Sequence, residues 1–393
     1  MLIGIDASRA NHETKTGVEW YAWHIIQEFK AQSEKGKTGG DVQFILYSDT
    51  PLSGELAQLP KNWQAKVLHW PMRFWTQVRL SWEMLVHPPD VLFIPAHVFP
   101  IIHPKKTVMM VHDVAAAGFP DSYNWFEQWY TIWSAKYAVK HLWKVITPSE
   151  FTKRELLSLE LRIKNPAFAS ASAGRQESRV FVVHHGYDTR YRKINDEQYI
   201  DSVLKKYNIK KPFMLNVGRL EEKKNTANLI RAFTQFRMNS RLQTTDYRLQ
   251  LVLVGQPGYG YEKVQEAIAQ SAYKQDIRLP GWVPPEDIVA LMNATEAFVF
   301  PSLYEGFGLP ILEAFACGTP VLASKGGSLE EVGQDAAIFV DPPSMEDIVV
   351  GMERVAADQF LRQSLIQKGM GRMENFSWDK AARETLEILL ASR

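Results

Sequence analysis

A single cysteine in 393 residues, Cys317, excludes an internal disulfide framework and any Cys-x-x-Cys metal site. An excess of one charge is also missing. Against 45 Lys and Arg stand 44 Asp and Glu, so no basic field points to nucleic acid, and none is expected as a partner. No stretch reaches the roughly 18 consecutive apolar residues of a membrane span. The start, Met1-Leu-Ile-Gly-Ile-Asp6, lacks the basic and long apolar segments of a signal peptide and reads as a strand. These absences fit a cytoplasmic protein and leave open a peripheral contact at the inner face of a membrane. There is no Asp-x-Asp pair, and His184-His185-Gly186 does not join carboxylates at ligand spacing, so no metal is expected. The run Gly255-Gln-Pro-Gly258-Tyr-Gly260 follows a strand but is not the G-x-G-x-x-G dinucleotide fingerprint. NAD is therefore not expected, and the cofactor expectation is none.

What is present is apolar and rhythmic. The 46% hydrophobic content supplies substantial cores. Apolar runs at Leu2–Ile5, Val42–Tyr47, Val91–Ile94, Thr107–Val111 and Lys144–Ile146 alternate with helical patterns. In the first of these, Val18, Tyr21, Ala22, Ile25, Ile26 and Phe29 share one face. A second series follows at Phe213–Val217, Leu249–Val254, Ala297–Phe300 and Pro320–Ala323. Strands alternating with helices imply parallel sheets with crossover helices, and two series imply two doubly wound α/β domains, with ligands at the carboxyl ends of the strands. The expected organisation is a first domain over 1–190, a second over 205–374 and a closing helix over 375–393. In that helix Ser377 is the cap, and Trp378, Ala381, Ala382 and Leu386 form one face. The Ser-, Ala- and Lys-rich stretch within 161–179 reads as a mobile loop. Cys317, on an apolar helix face, is expected to be a buried structural thiol.

The most informative stretch is Phe300–Ala314, with Glu305-Gly306-Phe307-Gly308-Leu309-Pro310 and Glu313. It reads as a strand end, a glycine loop and a helix start, with Glu313 in the first helical turn and Pro310 at the first helical position. A helix start offers unpaired N–H groups and the positive end of the dipole to phosphate. The two carboxylates flanking that phosphate site are hydroxyl acceptors, which suggests a sugar nucleotide with one Glu for each sugar. Val217-Gly218-Arg219 through Lys224-Asn225 follows the strand Phe213–Val217, so Arg219 and Lys224 lie in a strand-to-helix loop where two cations can neutralise a diphosphate leaving group. His112 closes a strand of the first series and is either a core histidine or a residue facing the cleft. Thr16-Gly17-Val18 is a second glycine turn at a helix start. Ten of the twelve tryptophans precede residue 150, and the segment Trp70–Trp82, with Arg73 and Arg79, reads either as helix packing or as an acceptor- or membrane-facing patch.

In this order along the chain, Thr16-Gly17-Val18, His112-Asp113, Thr147-Pro-Ser-Glu-Phe-Thr-Lys153, Gly218-Arg-Leu with Lys224-Asn225, Gly281-Trp282-Val283, Glu305-Gly-Phe-Gly308, Glu313-Ala-Phe-Ala-Cys-Gly-Thr-Pro320 and Phe376-Ser-Trp378 resemble the family 4 retaining glycosyltransferases of GT-B fold. The resemblance implies two Rossmann-like domains facing a cleft, with the last helix crossing back to the first. It gives Glu305, with the amides of Gly306, Phe307 and Gly308, the donor hexose, and Glu313 the nucleotide ribose. Arg219 and Lys224 would grip the diphosphate, with Gly218 and Leu309 lining the donor site. His112 would contact the donor sugar, Gly17 would let its loop reach the phosphates, and the backbone at Trp282-Val283 would border the base. The general look resembles bacterial polysaccharide mannosyltransferases. GDP-mannose is the favoured donor and UDP-glucose the runner-up, with a saccharide or lipid-linked saccharide as acceptor. The alternatives are a UDP-glucose-dependent glucosyltransferase or disaccharide synthase, a phosphorylase, and a non-catalytic sugar-nucleotide-binding protein. Two departures stand out: His185 where many relatives carry Asn, and a longer 161–179 loop.

Overall fold

A computed structural model describes residues 1–13, 15–39, 41–72, 74–161, 176–239 and 248–391. The expectations for Arg73 and for the loop over 161–179, which falls mostly on 162–175, lie outside the described residues. The chain divides into two compact units. The first comprises 1–118, 125–186 and 376–393, and the second comprises 119–124 and 187–375.

The first unit is built on seven parallel strands: β1 (Leu2–Asp6), β2 (Gln43–Ser48), β3 (Trp63–Val67), β4 (Val91–Ile94), β5 (Thr107–Met110), β6 (Lys144–Thr147) and β7 (Val180–Val182). Their spatial order is β3-β2-β1-β4-β5-β6-β7, with Ile3 opposite both Phe44 and Val91. Strands covered on both faces read as continuous apolar runs, which is why the central ones are legible. The first helix, Gly17–Glu34, buries Tyr21, Ala22, Ile25, Ile26 and Phe29 against this sheet, as its spacing predicts. The last helix, Trp378–Leu390, joins the same core through Trp378, Ala381, Ala382 and Leu386. Ser377 caps it, accepting the Lys380 N–H at 3.1 Å. The end of the chain therefore returns to the first unit, as expected. Truncating a buried leucine of that helix such as Leu386 would cost about 2–5 kcal/mol, since the space it leaves refills only in part.

The second unit has six parallel strands: β8 (Phe213–Val217), β9 (Gln250–Val254), β10 (Ile277–Gly281), β11 (Ala297–Phe300), β12 (Val321–Ser324) and β13 (Ala337–Val340), in the order β10-β9-β8-β11-β12-β13. Its core interleaves Leu251, Leu253 and Val299 of the sheet with Leu229, Ile230, Phe233 and Phe236 of the helix Thr226–Asn239, and with Ile348 and Met352 of Met345–Ala357. In each sheet the strand order reverses once, between β1 and β4 and between β8 and β11. Crevices at the carboxyl ends of strands flanking such a reversal are where open α/β sheets bind ligands.

Candidate functional site

In the second unit the loops after β8 and β11 flank the reversal, so two motifs far apart in sequence become neighbours. After β8 the backbone passes Gly218 and Arg219 into a short helical turn, Glu222–Lys224, and then through Asn225 at φ 58° into the helix Thr226–Asn239. The Asn225 side chain donates to the Pro342 carbonyl at 2.6 Å, which holds that left-handed corner. After β11, the Leu303 N–H and the Ser302 hydroxyl both donate to the Lys223 carbonyl, at 2.9 and 3.1 Å. Ser328 donates to the Glu305 carbonyl at 2.7 Å. These bonds tie one loop to the other and bring the Lys224 ammonium to 2.5 Å from Glu305 Oε1. Both side chains are mostly covered, at 16% and 13% exposure, so the pair is sheltered from solvent screening. Arg219 remains 68% exposed and is only loosely paired, 3.7 Å from Glu221.

The glycine run after β9, unassigned as a nucleotide motif, supports this loop from beneath. Leu220 donates to the Gln256 carbonyl, Gly258 to Leu220 and Glu222 to Tyr259, so 255–260 runs alongside 218–222 bond by bond. Gly255 has φ 152°, and a Cβ there would lie 1.8 Å from the Gly218 carbonyl oxygen, so no side chain fits.

The helix after the β11 loop is Leu309–Ala316, with Gly308 at φ 112° preceding it and Leu329 filling the space where a side chain at Gly308 would go. Two sequence placements shift as a result. Pro310 is the second helical residue, and Glu313 is the fifth, in the second turn rather than the first, because the helix begins at Leu309 and a turn takes 3.6 residues. Phe307 is buried. Burial, reinforced by the charge of Asp188, pushes the Glu313 carboxyl up to about 8, while Arg190 and the Tyr191 hydroxyl pull it the other way. Asp188 is itself held by Arg190 at 2.6 Å. Asp188, Arg190 and Tyr191 were not singled out from sequence. They fall in a stretch that reads only as a polar join, and their one signal is an aromatic residue closing a charged tripeptide. At the end of β10, Gly281 accepts from Gly255 at 2.9 Å. Val283 is then buried, whereas the Trp282 ring is 64% exposed.

Gly17 and His112 belong to the first unit. Gly17 opens its helix behind Thr16, whose backbone N–H and hydroxyl both donate to the Glu19 carboxylate, and nothing lies within 4 Å of where a Cβ would sit. His112 follows β5. Its Nε2 pairs with the Pro95 carbonyl at 3.0 Å, and it is 9% exposed. Tyr21, His97 and His185 surround it, with ring centres 4.8, 5.3 and 5.5 Å away. Burial, and then the neighbouring His97, push it down to about 3, so the ring is neutral. Cys317 is fully buried, and burial pushes its thiol up to about 12, as befits a structural thiol. Among the described residues, no group of three or more His, Cys, Asp or Glu side chains could hold a metal ion.

Residues 16–164 match the family Glycosyltransferase Family 4, and residues 200–372 match Glycosyl transferases group 1. The chain is similar to the O-antigen chain mannosyltransferase B of Escherichia coli, 34% identical over 185 residues. That stretch is 47% of this chain, and the chain spans about half the length of that relative, 47%. In fold it is similar to the sucrose-phosphate synthase of Thermosynechococcus elongatus, with TM-score 0.69 and 17% identity over 98% of this chain and 97% of that one. It is also similar to HepE of Anabaena, solved in complex with UDP and glucose, with TM-score 0.69 and 16% identity over 99% and 98% of the two chains.

Proposed function

The chain belongs to the family 4 glycosyltransferases of GT-B fold, a retaining family, and from that premise we propose that it moves a hexosyl group, mannosyl in the first place, from a nucleoside diphosphate sugar to a hydroxyl of a saccharide or lipid-linked saccharide. The observation that carries this reading is the meeting of Lys224 and Glu305 where the second sheet reverses its strand order, with the exposed Arg219 in the same loop as Lys224. A cation for a diphosphate and a carboxylate for sugar hydroxyls then lie side by side, with Arg219 as the proposed second cation. In the proposed reaction the bond from the anomeric carbon to the diphosphate breaks. The acceptor oxygen bonds to that carbon from the same face, and its proton passes to the leaving diphosphate oxygen. Arg219 and Lys224 stabilise the charge that develops on the diphosphate, the kind of preorganised stabilisation that usually contributes most. Glu305 orients the hexose, and Glu313 accepts from the ribose. Gly218, Gly306, Phe307, Gly308 and Leu309 line the donor with backbone, and Trp282-Val283 borders its base. For the first unit we propose a contact from His112 to the donor sugar and an approach of the Gly17 loop to the phosphates. The open space at Gly17 favours the latter.

Mannosyl is favoured by the mannosyltransferase to which the chain is similar. UDP-glucose is the second reading, favoured by the UDP and glucose bound to HepE. A thermal-shift panel of GDP-mannose, UDP-glucose, GDP and UDP, followed by turnover with excess EDTA, tests both donor and mechanism. Stabilisation by GDP-mannose with EDTA-resistant turnover is expected. Stabilisation by UDP-glucose instead would reverse the donor order. Turnover lost with EDTA and restored by Mg²⁺ would show that Arg219 and Lys224 do not suffice, and binding without any turnover would leave a sugar-nucleotide-binding protein.

A further inference from the structure

Among the described residues 21 large hydrophobic side chains are exposed, and 12 of them lie between Met72 and Trp133 in the first unit. The helix Trp125–His141 shows how unusual that face is. It buries Ser134, Ala135, Ala138 and Val139 and turns Trp125, Phe126, Trp129 and Trp133 outward, Trp125 being 79% exposed. An ordinary surface helix does the reverse, because each buried aromatic contributes most of the drive to pack. Trp125, Trp129 and Trp133 recur every four residues and so form one stripe. The rings brace one another: Trp129 and Trp133 stack at 6.0 Å, and Phe126 lies 6.1 Å from Trp129.

Two further segments extend the stripe into a surface. Gln77 donates to the Tyr130 hydroxyl at 3.2 Å, and Phe74 meets Phe126 at 6.3 Å, so the helical stretch 76–86, with Val78, Trp82, Leu85 and Val86 exposed, lies alongside. The Ile102 N–H donates to Ser81 at 3.3 Å, adding exposed Ile101 and Ile102. Phe74 holds a left-handed backbone at φ 68°, costly for a bulky residue, and its ring is still 55% exposed, so burial does not offset the strain. Trp75 behaves as packing, buried with its Nε1 donating to the Leu68 carbonyl, as do the buried Leu80 and Met84.

The charges around this face are mainly basic, three lysines against one exposed acid, Glu127. Lys105 and Lys140 are exposed and Lys136 is half-buried. Glu83 is buried and bonded to Lys66, Arg79 and His87, which leaves Glu127 as the exposed acid of the helix. We propose that this face docks the protein on an anionic phospholipid bilayer, the aromatic rings entering the headgroup boundary and Lys105, Lys136 and Lys140 meeting lipid phosphates. Tryptophan at the water boundary with flanking lysines is the pattern of interfacial attachment. The aliphatic members Met72, Val78, Leu85, Val86, Ile101 and Ile102 favour acyl chains over a glycan, whose hydroxyls they could not satisfy. No helix of the described residues is long and apolar enough to cross a membrane, so the contact would be peripheral.

Vesicle co-sedimentation of the full chain tests this without any donor or acceptor, so the result is independent of the proposed reaction. Vesicles of phosphatidylcholine alone are compared with vesicles containing about one-third phosphatidylglycerol, at low and high salt. The protein should sediment with the anionic vesicles, and less so in salt. Trp125→Ser with Trp129→Ser should lower the bound fraction at least about tenfold, from the loss of two buried aromatic groups. Lys105→Glu with Lys140→Glu should abolish the preference for phosphatidylglycerol. The exposure of all four predicts unchanged melting temperatures. Absence of sedimentation at low salt, or binding that survives the double tryptophan change, would overturn the proposal. So would a dimer in sedimentation velocity that the tryptophan change dissociates, since a second copy would then cover the face.

Discussion

Lys224 and Glu305 pair with each other, so a diphosphate bound at this loop would have to share the lysine. In the proposed reaction that exchange would put both side chains in the first steps of donor capture. Losing one preorganised charge-stabilising group typically lowers turnover by about 100-fold or more. Lys224→Ala should do so with a modest fall in melting temperature, since it leaves the covered Glu305 carboxylate unpaired, and a steady-state assay with a melting curve checks both. Glu313 makes a separate prediction. Burial and Asp188 hold its carboxyl up to about 8, yet a carboxylate is the better acceptor for ribose hydroxyls. A ligand that prefers the ionised form must expel the proton, so nucleoside diphosphate affinity should rise with pH until about 8 and then level off. Calorimetry in buffers of different ionisation enthalpy would show the released proton, and Glu313→Gln should remove the release. Glu305, Arg219 and Lys224 were legible as candidates because glycines mark their loops, and Glu313 because Pro310 marks the helix start before it. Tyr191 and Asp188 were not, because what they act on, Glu313, comes from a distant part of the chain and only the fold brings it near.

At the scale of elements, legibility followed burial. β1, β4, β8, β9 and β11 are covered on both faces and announce themselves as apolar runs. The outer strands do not. β3, Trp63-Gln-Ala-Lys-Val67, turns Gln64 and Ala65 to solvent, and β10 carries Pro280, tolerable because an edge strand has an unpaired side. β13 is as apolar as the central strands, but the helix before it, Gly327–Gly333, has only 7 residues, so no helical rhythm heralds it. The loop after β9 shows how an element can act through its backbone alone. Because a Cβ at Gly255 would overlap the Gly218 carbonyl, Gly255→Ala must push the Arg219 loop away or unpair it from 256–259. Turnover should fall about as far as it does for Arg219→Ala, with a loss of stability of the order of 1–3 kcal/mol from the strained backbone. Gly17→Ala, where the space is open, should leave stability unchanged. Parallel melting curves and kinetics on these three variants separate a scaffolding role from a direct one.

Across the whole molecule, two opposed titrations predict a stability maximum near neutrality. In the first unit His112 and His185 are buried and His97 half-buried, and desolvation holds all three below their ordinary value, His112 down to about 3. Such groups bind protons in the unfolded chain before they do so in the folded one, so their contribution is complete above about 6.5 and is lost as pH falls toward 3. Asp6, raised to about 6 by burial, works the other way, its contribution being complete below 3.8 and lost as pH rises through 6. Three histidines against one aspartate make acid loss the net outcome for this unit. In the second unit Glu313 contributes stability below 4.5 that disappears as pH rises through 8. The two units should therefore part company: acid weakens the first, whereas the second loses the Glu313 contribution as pH rises from 4.5 to about 8. Differential scanning calorimetry from pH 5 to pH 9 checks this. Below about pH 6.5 the melting temperature should fall, and His112→Asn should flatten that acid arm without altering the alkaline one. Glu313→Gln should do the opposite. A profile in which both substitutions act on the same arm would mean that the neutral imidazole beside Pro95 and the protonated carboxyl near Asp188 are not what these environments hold.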